Sequence, residues 1–127
     1  MAANDKIRIL VVEEEPSLHE MIRLKLGKLG DSFEIVGTTG RDEALALFGG
    51  SVFDAVIAEN DPEPGFAAFV TGLRRIQPEI KIYGIGHFAI DIDDYGLDGC
   101  IVKPAMEELA TVAVGLLTMK TVESRSK

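Results

Sequence analysis

Glu13, Glu14, Glu15, Glu59 and the pair Lys103-Pro104 are the residues of this chain whose types and positions could do chemistry together. Carboxylates gathered at one place can hold a hard cation through their oxygens. A lysine among carboxylates can equally be a counter-charge, since an opposite charge a few ångströms away favours the ionised form. A plainer reading is also open for each residue alone, that of solvated loop charge. Glu13–Glu15 stand just before Pro16, and carboxylates there favour the positive end of a helix dipole. Chemistry requires that the fold bring these residues to one edge.

The elements that would position them can be read from periodicity. Ile7–Val12 (IRILVV) is β-branched and nearly all apolar, as a strand covered on both faces is. Pro16 suits a first helical turn, and Leu18, Met21, Ile22, Leu26 and Leu29 follow at helical spacing up to Gly30. Phe33–Gly37 predicts a short second strand, and Arg41–Phe48 a helix closed by Gly49-Gly50. Phe53–Ala58 predicts a third strand, followed by a turn over Asn60–Gly65 and an amphipathic helix from Phe66 to Ile76. Ile80–Ile85 and Asp98–Val102 predict the fourth and fifth strands, and the short, acidic Phe88–Gly96 segment between them is poorly patterned. Glu107–Leu117 predicts a closing helix. The division expected is one domain over residues 1–118 and a polar tail or linker over 119–127.

Five strand–helix alternations imply a parallel sheet with helices on both faces. In such sheets the functional crevice lies at the carboxyl ends of the strands. Glu13–Glu15 then follow the first strand, Glu59 the third, Gly86 the fourth and Lys103-Pro104 the fifth.

Composition narrows the function classes. The chain has 127 residues, a net charge of −8 and a pI near 4.7. Such a surface repels a phosphate backbone or an anionic bilayer, so nucleic acid and membrane are not expected partners. The single cysteine, Cys100, and the lack of an apolar leader at the start point to a reducing, cytoplasmic setting. No Gly-rich phosphate loop, nucleophile elbow or flavin signature is present, so an enzyme is not expected.

From Lys6 to about Leu117 the chain resembles the receiver domain of two-component response regulators, the CheY-like family. ILVVEEEP resembles that family's first strand, FDAVIAEN its third and GLDGCIVKPAMEEL its fifth strand and last helix. The resemblance implies a flavodoxin-like sheet of order 2-1-3-4-5. It also implies an acidic pair at Glu13 and Glu14, a phosphoacceptor place at Glu59 and the family lysine at Lys103. Pro64-Gly65 lies one position later than expected for that alignment, and anchoring on it would put Asn60 at the acceptor place; strand phase favours Glu59.

The departures from the family pattern matter most. Aspartates are expected where Glu13, Glu14 and Glu59 stand. Each Asp→Glu change moves a carboxylate by roughly 1–1.5 Å, and catalysis by positioning loses about a hundredfold for a misplacement of that order. The switch hydroxyl and switch aromatic of the family are replaced by Gly86 and Cys100. The fourth helix is expected to be short or absent.

The function these departures imply is that of an atypical receiver. It would not be phosphorylated at the usual site and would act as a phosphorylation-independent protein-interaction module. The expected partner is another signalling protein or effector domain, with a histidine kinase or a second copy of the chain as further readings. The alternative is an unorthodox switch still controlled by a kinase, metal or ligand at the acidic edge. No cofactor is required; a magnesium, manganese or calcium ion at Glu13, Glu14 and Glu59 is the cation reading. Lys103 would balance the glutamates, and Glu59 could also stand as a fixed mimic of a phosphoryl group. His19 is expected on the solvated side of the first helix, His87 at the rim of the site and Cys100 as a small buried strand residue. Phe88 is expected to fill the space of the missing aromatic.

Overall fold

The computed structural model describes residues 6–60 and 65–126, with side chains as far as Lys120. Five strands, β1 (Ile7–Val12), β2 (Phe33–Thr38), β3 (Ala55–Glu59), β4 (Lys81–Gly86) and β5 (Gly99–Val102), form one parallel sheet of order β2-β1-β3-β4-β5. The helices between and after them are α1 (Pro16–Gly27), α2 (Arg41–Gly50), α3 (Phe66–Ile76), α4 (Ile92–Tyr95) and α5 (Glu108–Ser126).

β1 shows why the sheet is covered twice. Successive side chains of a strand point to opposite faces. Ile7, Ile9 and Val11 therefore join Leu18, Ile22 and Leu26 of α1 and Leu109, Ala113 and Leu116 of α5 in one core. Leu10 and Val12 join Ala44 and Phe48 of α2 and Phe66, Phe69, Val70 and Leu73 of α3 in the other. An all-apolar strand is the sequence consequence of having no solvent face.

Three strand starts differ from expectation: β4 begins at Lys81 and not at Ile80, and the other two differ for one shared reason. β3 begins at Ala55 and not at Phe53, and β5 at Gly99 and not at Asp98. In each case an aspartate carboxylate takes a neighbouring strand's amide: Asp54 Oδ2 accepts from the Arg8 N–H and Asp98 Oδ2 from the Ile82 N–H, both at 2.8 Å. The side chain thus stands in for the backbone carbonyl that a strand residue would offer.

The fourth helix is a single turn. Asp91 caps it, its Oδ1 accepting from the amides of Asp93 (3.0 Å) and Asp94 (3.4 Å), and Gly96 ends it at φ 69°. The closing helix, in contrast, continues past Leu117 to Ser126. Polar composition alone does not stop a helix, and no Gly or Pro follows Gly115. Lys120 Nζ pairs with Asp54 Oδ1 at 3.1 Å, which ties the added turn to the start of β3. The predicted Asn60–Gly65 turn lies outside the described residues from Asp61 to Pro64. No described helix is long and apolar enough to cross a membrane.

Candidate functional site

β1, β3 and β5 end at the same edge of the sheet, and the first residue past β1, the last of β3 and the first past β5 meet there. The Glu13 N–H donates to the Thr38 carbonyl at 3.0 Å, which continues the β1–β2 ladder by one residue and turns the Glu13 side chain inward. That carboxylate is fully buried. The Lys103 N–H donates to the Gly86 carbonyl at 2.7 Å and anchors the lysine beside β4. Its Nζ lies 3.4 Å from Glu13 Oε1 and 3.5 Å from Glu59 Oε2. Lys103 is itself buried, with a side chain 4% exposed, against 24% for Glu59. One ammonium therefore serves two carboxylates, at distances long for charge-assisted hydrogen bonds.

The electrostatic consequence falls on Glu13. Burial pushes its carboxyl up to about 6, the negative charge of Glu59 adds to the rise, and Lys103 opposes it. Desolvation outweighs the counter-charge because the single ammonium is divided between two acids.

Glu14 and Glu15 do not join this cluster. Both are exposed. Glu14 lines a cleft of about 300 Å³ together with Val12, Glu13, Thr39, Arg41, Asp42 and Glu59. Among the described residues no group of three His, Cys, Asp or Glu side chains is placed to hold a metal ion. Lys103 Nζ, within 3.5 Å of both Glu13 and Glu59, is the cation those two carboxylates share.

Two residues at this edge gain a role that their sequence positions hid. His19, expected in solvent, is buried at 8% exposure, and its Nε2 donates to the Glu13 carbonyl at 3.0 Å. Its ring rests on Gly37, where an added Cβ would stand 2.5 Å from Nδ1. The missing side chain on β2 is what admits the imidazole, and helical periodicity on α1 carries no information about β2. Arg41, the first residue of α2, donates from Nη2 to the Glu59 carbonyl at 3.4 Å and places its guanidinium 5.5 Å from the Phe66 ring centroid. A sequence signal for it exists: a cation at a helix start opposes the helix dipole, so its position asks for a tertiary reason.

On the β4 side of Glu59 the expected switch positions are small. Gly86 is buried and pairs with Val102, while Cys100 pairs with Gly84 and is half-buried, not buried. The volume over Gly86 is taken by the Asn60 side chain. His87 stands at the rim, lining with Glu59, Asn60, Phe88, Ile90 and Lys103 a second cleft of about 240 Å³. Phe88 does not fill the space of a missing aromatic: it is 81% exposed, because the chain leaves the sheet at Gly86 before an inward-facing position recurs.

No protein-family model matches this chain, and neither does any curated protein sequence. Solved structures do. The response regulator TrrA from Thermotoga maritima, solved in complex with Mg²⁺-BeF, is 26% identical, with a TM-score of 0.73 over 87% of this chain and 98% of that one. TrrA in complex with the histidine kinase ThkA is 28% identical, with a TM-score of 0.72 over 87% of this chain and 98% of that one. The signal receiver domain of an HD domain-containing protein from Pseudomonas fluorescens Pf-5 reaches a TM-score of 0.76 at 15% identity, over 96% of this chain and 94% of that one. With the strand order, the helix on each crossover and the lysine just past the fifth strand already in view, these likenesses identify the architecture as the CheY-like, flavodoxin-type receiver fold of response regulators.

Proposed function

We propose that the chain is an atypical receiver domain of two-component signalling that binds another signalling protein or effector domain without being phosphorylated at the usual site. One observation carries this reading: among the described residues the carboxylates at this edge are not grouped to hold a metal ion, and Glu13 and Glu59 instead share the Lys103 ammonium, at 3.4 and 3.5 Å. Three further features support it. Glu59 occupies the phosphoacceptor position with a longer side chain than aspartate. Gly86 offers no hydroxyl, and its space is filled by Asn60. Cys100 provides no switch aromatic on β5. With the pocket occupied by its own charges, the surfaces around it are the part free to recognise a partner.

A second reading is favoured by the open cleft beside Glu14, Arg41, Asp42 and Glu59. There the edge would remain a switch, set by a histidine kinase, a divalent cation or another ligand. The two readings separate in one experiment. Incubation with acetyl phosphate and magnesium, followed by intact mass, is expected to leave the mass unchanged. A stoichiometric phosphoryl adduct that disappears in Glu59→Ala would overturn the first reading and establish the second.

A further inference from the structure

A cleft of about 440 Å³ opens at the amino edge of the sheet, opposite the edge that holds Glu13 and Glu59. Ile7 begins β1, Asp54 precedes β3 and Lys81 begins β4, and all three line it. Its floor is apolar, with Ile7, Phe53 and Leu116 buried beneath it. Its rim is apolar as well, where Val52 is 76% and Met119 40% exposed. Exposed apolar side chains gathered at a concavity mark an interaction surface, as scattered ones do not.

Cations surround this apolar centre. Arg74, Lys81 and Lys120 line the cleft, against the carboxylates of Asp54 and Glu79. They are incompletely served. Asp54 and Asp98 each give one carboxylate oxygen to a backbone amide, that of Arg8 and that of Ile82. Asp54 meets Lys120 through its other oxygen at 3.1 Å, while Asp98 is divided between Arg74 at 3.3 Å and Lys81 at 3.7 Å. Each cationic side chain keeps 32–35% of its surface in solvent. Such a cleft suits a large apolar side chain carried among carboxylates.

The chain presents such a segment elsewhere on its surface. Phe88 is 81% exposed, and Asp91, Asp93 and Asp94 after it are exposed. No described cation pairs with these three aspartates. Ile90, Ile92 and Tyr95 pack against the core and hold the strip in place. Phe88 follows the carboxyl end of β4, whereas Lys81 stands at its amino end, and the six strand residues separate the two ends by about 17 Å. Phe88 is therefore out of reach of its own cleft, and a second copy of the chain can supply it.

We propose that the chain self-associates head to tail: Phe88 of one copy enters the cleft between Val52, Lys81 and Met119 of the next, and its Asp91, Asp93 and Asp94 face the cations there. Every copy then offers one strip and one cleft, so the contact is heterologous and runs on into a ring or an open chain, unlike a symmetric pair. One aromatic anchor with a few rim charges is a small contact, at the weak and transient end of protein interfaces. The inference rests on the reading of this domain as an interaction module and deepens it by naming a second copy as the partner.

Sedimentation velocity of the full chain over a concentration series, at low and at high salt and without phosphoryl donor or magnesium, tests it. The average mass is expected to climb with concentration and to fall at high salt. Phe88→Lys and Lys81→Glu are each expected to weaken the association by about tenfold or more. The sharpest arm mixes these two variants. Phe88→Lys keeps its cleft and Lys81→Glu keeps its strip, so together they should form a one-to-one pair and nothing larger, although each alone stays monomeric. A wild type that is monomeric throughout, or variants that associate as it does, would overturn the proposal. So would a mixture no more associated than either variant alone, which is the result a symmetric pair gives. Should Lys81→Glu not fold, Val52→Asp at the exposed rim replaces it, with the same outcomes. A phosphoryl adduct at Glu59 would sink the phosphorylation-independent reading and leave this self-association standing; an unphosphorylated monomer would sink the self-association alone.

Discussion

Glu59 divides the carboxyl edge of the sheet into two flanks that are filled in opposite ways. On the β1 flank, charge is buried and compensated: Glu13 is enclosed, Lys103 stands beside it and His19 fixes its carbonyl. On the β4 flank, side chains are small and volume is borrowed: Gly84 and Gly86 leave a trough, Asn60 reaches over to fill it, and its amide donor has no hydrogen-bond partner among the described residues. On the first flank, taking the Lys103 ammonium away would leave Glu13 in a dry interior without its counter-charge. The second is held by packing around small residues and a helix of one turn.

The largest expected effect breaks the β1 flank. Lys103→Met leaves Glu13 buried without its counter-ion and should cost about 3–5 kcal/mol at neutral pH, read by chemical denaturation. Adding Glu13→Gln should recover much of that loss. A Lys103→Met protein as stable as wild type would show that the ammonium does not compensate the pair.

On the β4 flank, Gly86→Ser returns a side chain to the volume Asn60 occupies. It should destabilise by about 1–3 kcal/mol through overpacking, and the cost should shrink in the Asn60→Gly background. An additive double mutant would mean that Asn60 and Gly86 are not a matched pair.

A smaller effect sharpens the electrostatic side of the contrast. The Glu13 carboxyl lies at about 6 in the folded chain, against an ordinary value of 4.5. The folded state therefore holds this proton more tightly than the unfolded state does. The stabilisation is complete below pH 4.5 and is lost as pH rises through about 6. A shift of that size corresponds to about 2 kcal/mol. Glu13→Gln should match wild type near pH 4 and exceed its stability by up to that amount at pH 7.5. The difference between the two pH–stability curves cancels the titration of the other carboxylates, and a flat difference would refute the assignment.

Much of this was legible in the residues themselves. IRILVV reads as a strand with no solvent face, and β1 has helices over both sides. The acidic Phe88–Gly96 segment lacks a helical stripe, and one turn capped by Asp91 is what forms there. Lys103-Pro104 marks the lysine at the edge. The failures came from partners far apart in sequence. His19 reads as a polar helix residue until Gly37 is known to lie beneath it. Phe88 reads as a core aromatic until the strand is seen to end at Gly86. Arg41 carries no role in the sequence beyond starting a helix until Glu59 and Phe66 are found beside it.

The order of apolar and helical segments determined the architecture, and the placing of acids, a lysine and small residues at strand ends determined where the site would be. Both follow from local periodicity, which is written along the chain. Only the tertiary structure decided that Lys103 is shared by Glu13 and Glu59, that Glu13 is buried while Glu14 is exposed and that Asn60 fills the volume over Gly86. Those outcomes depend on which side chains share a volume in the folded chain, and such partners lie up to 90 positions apart.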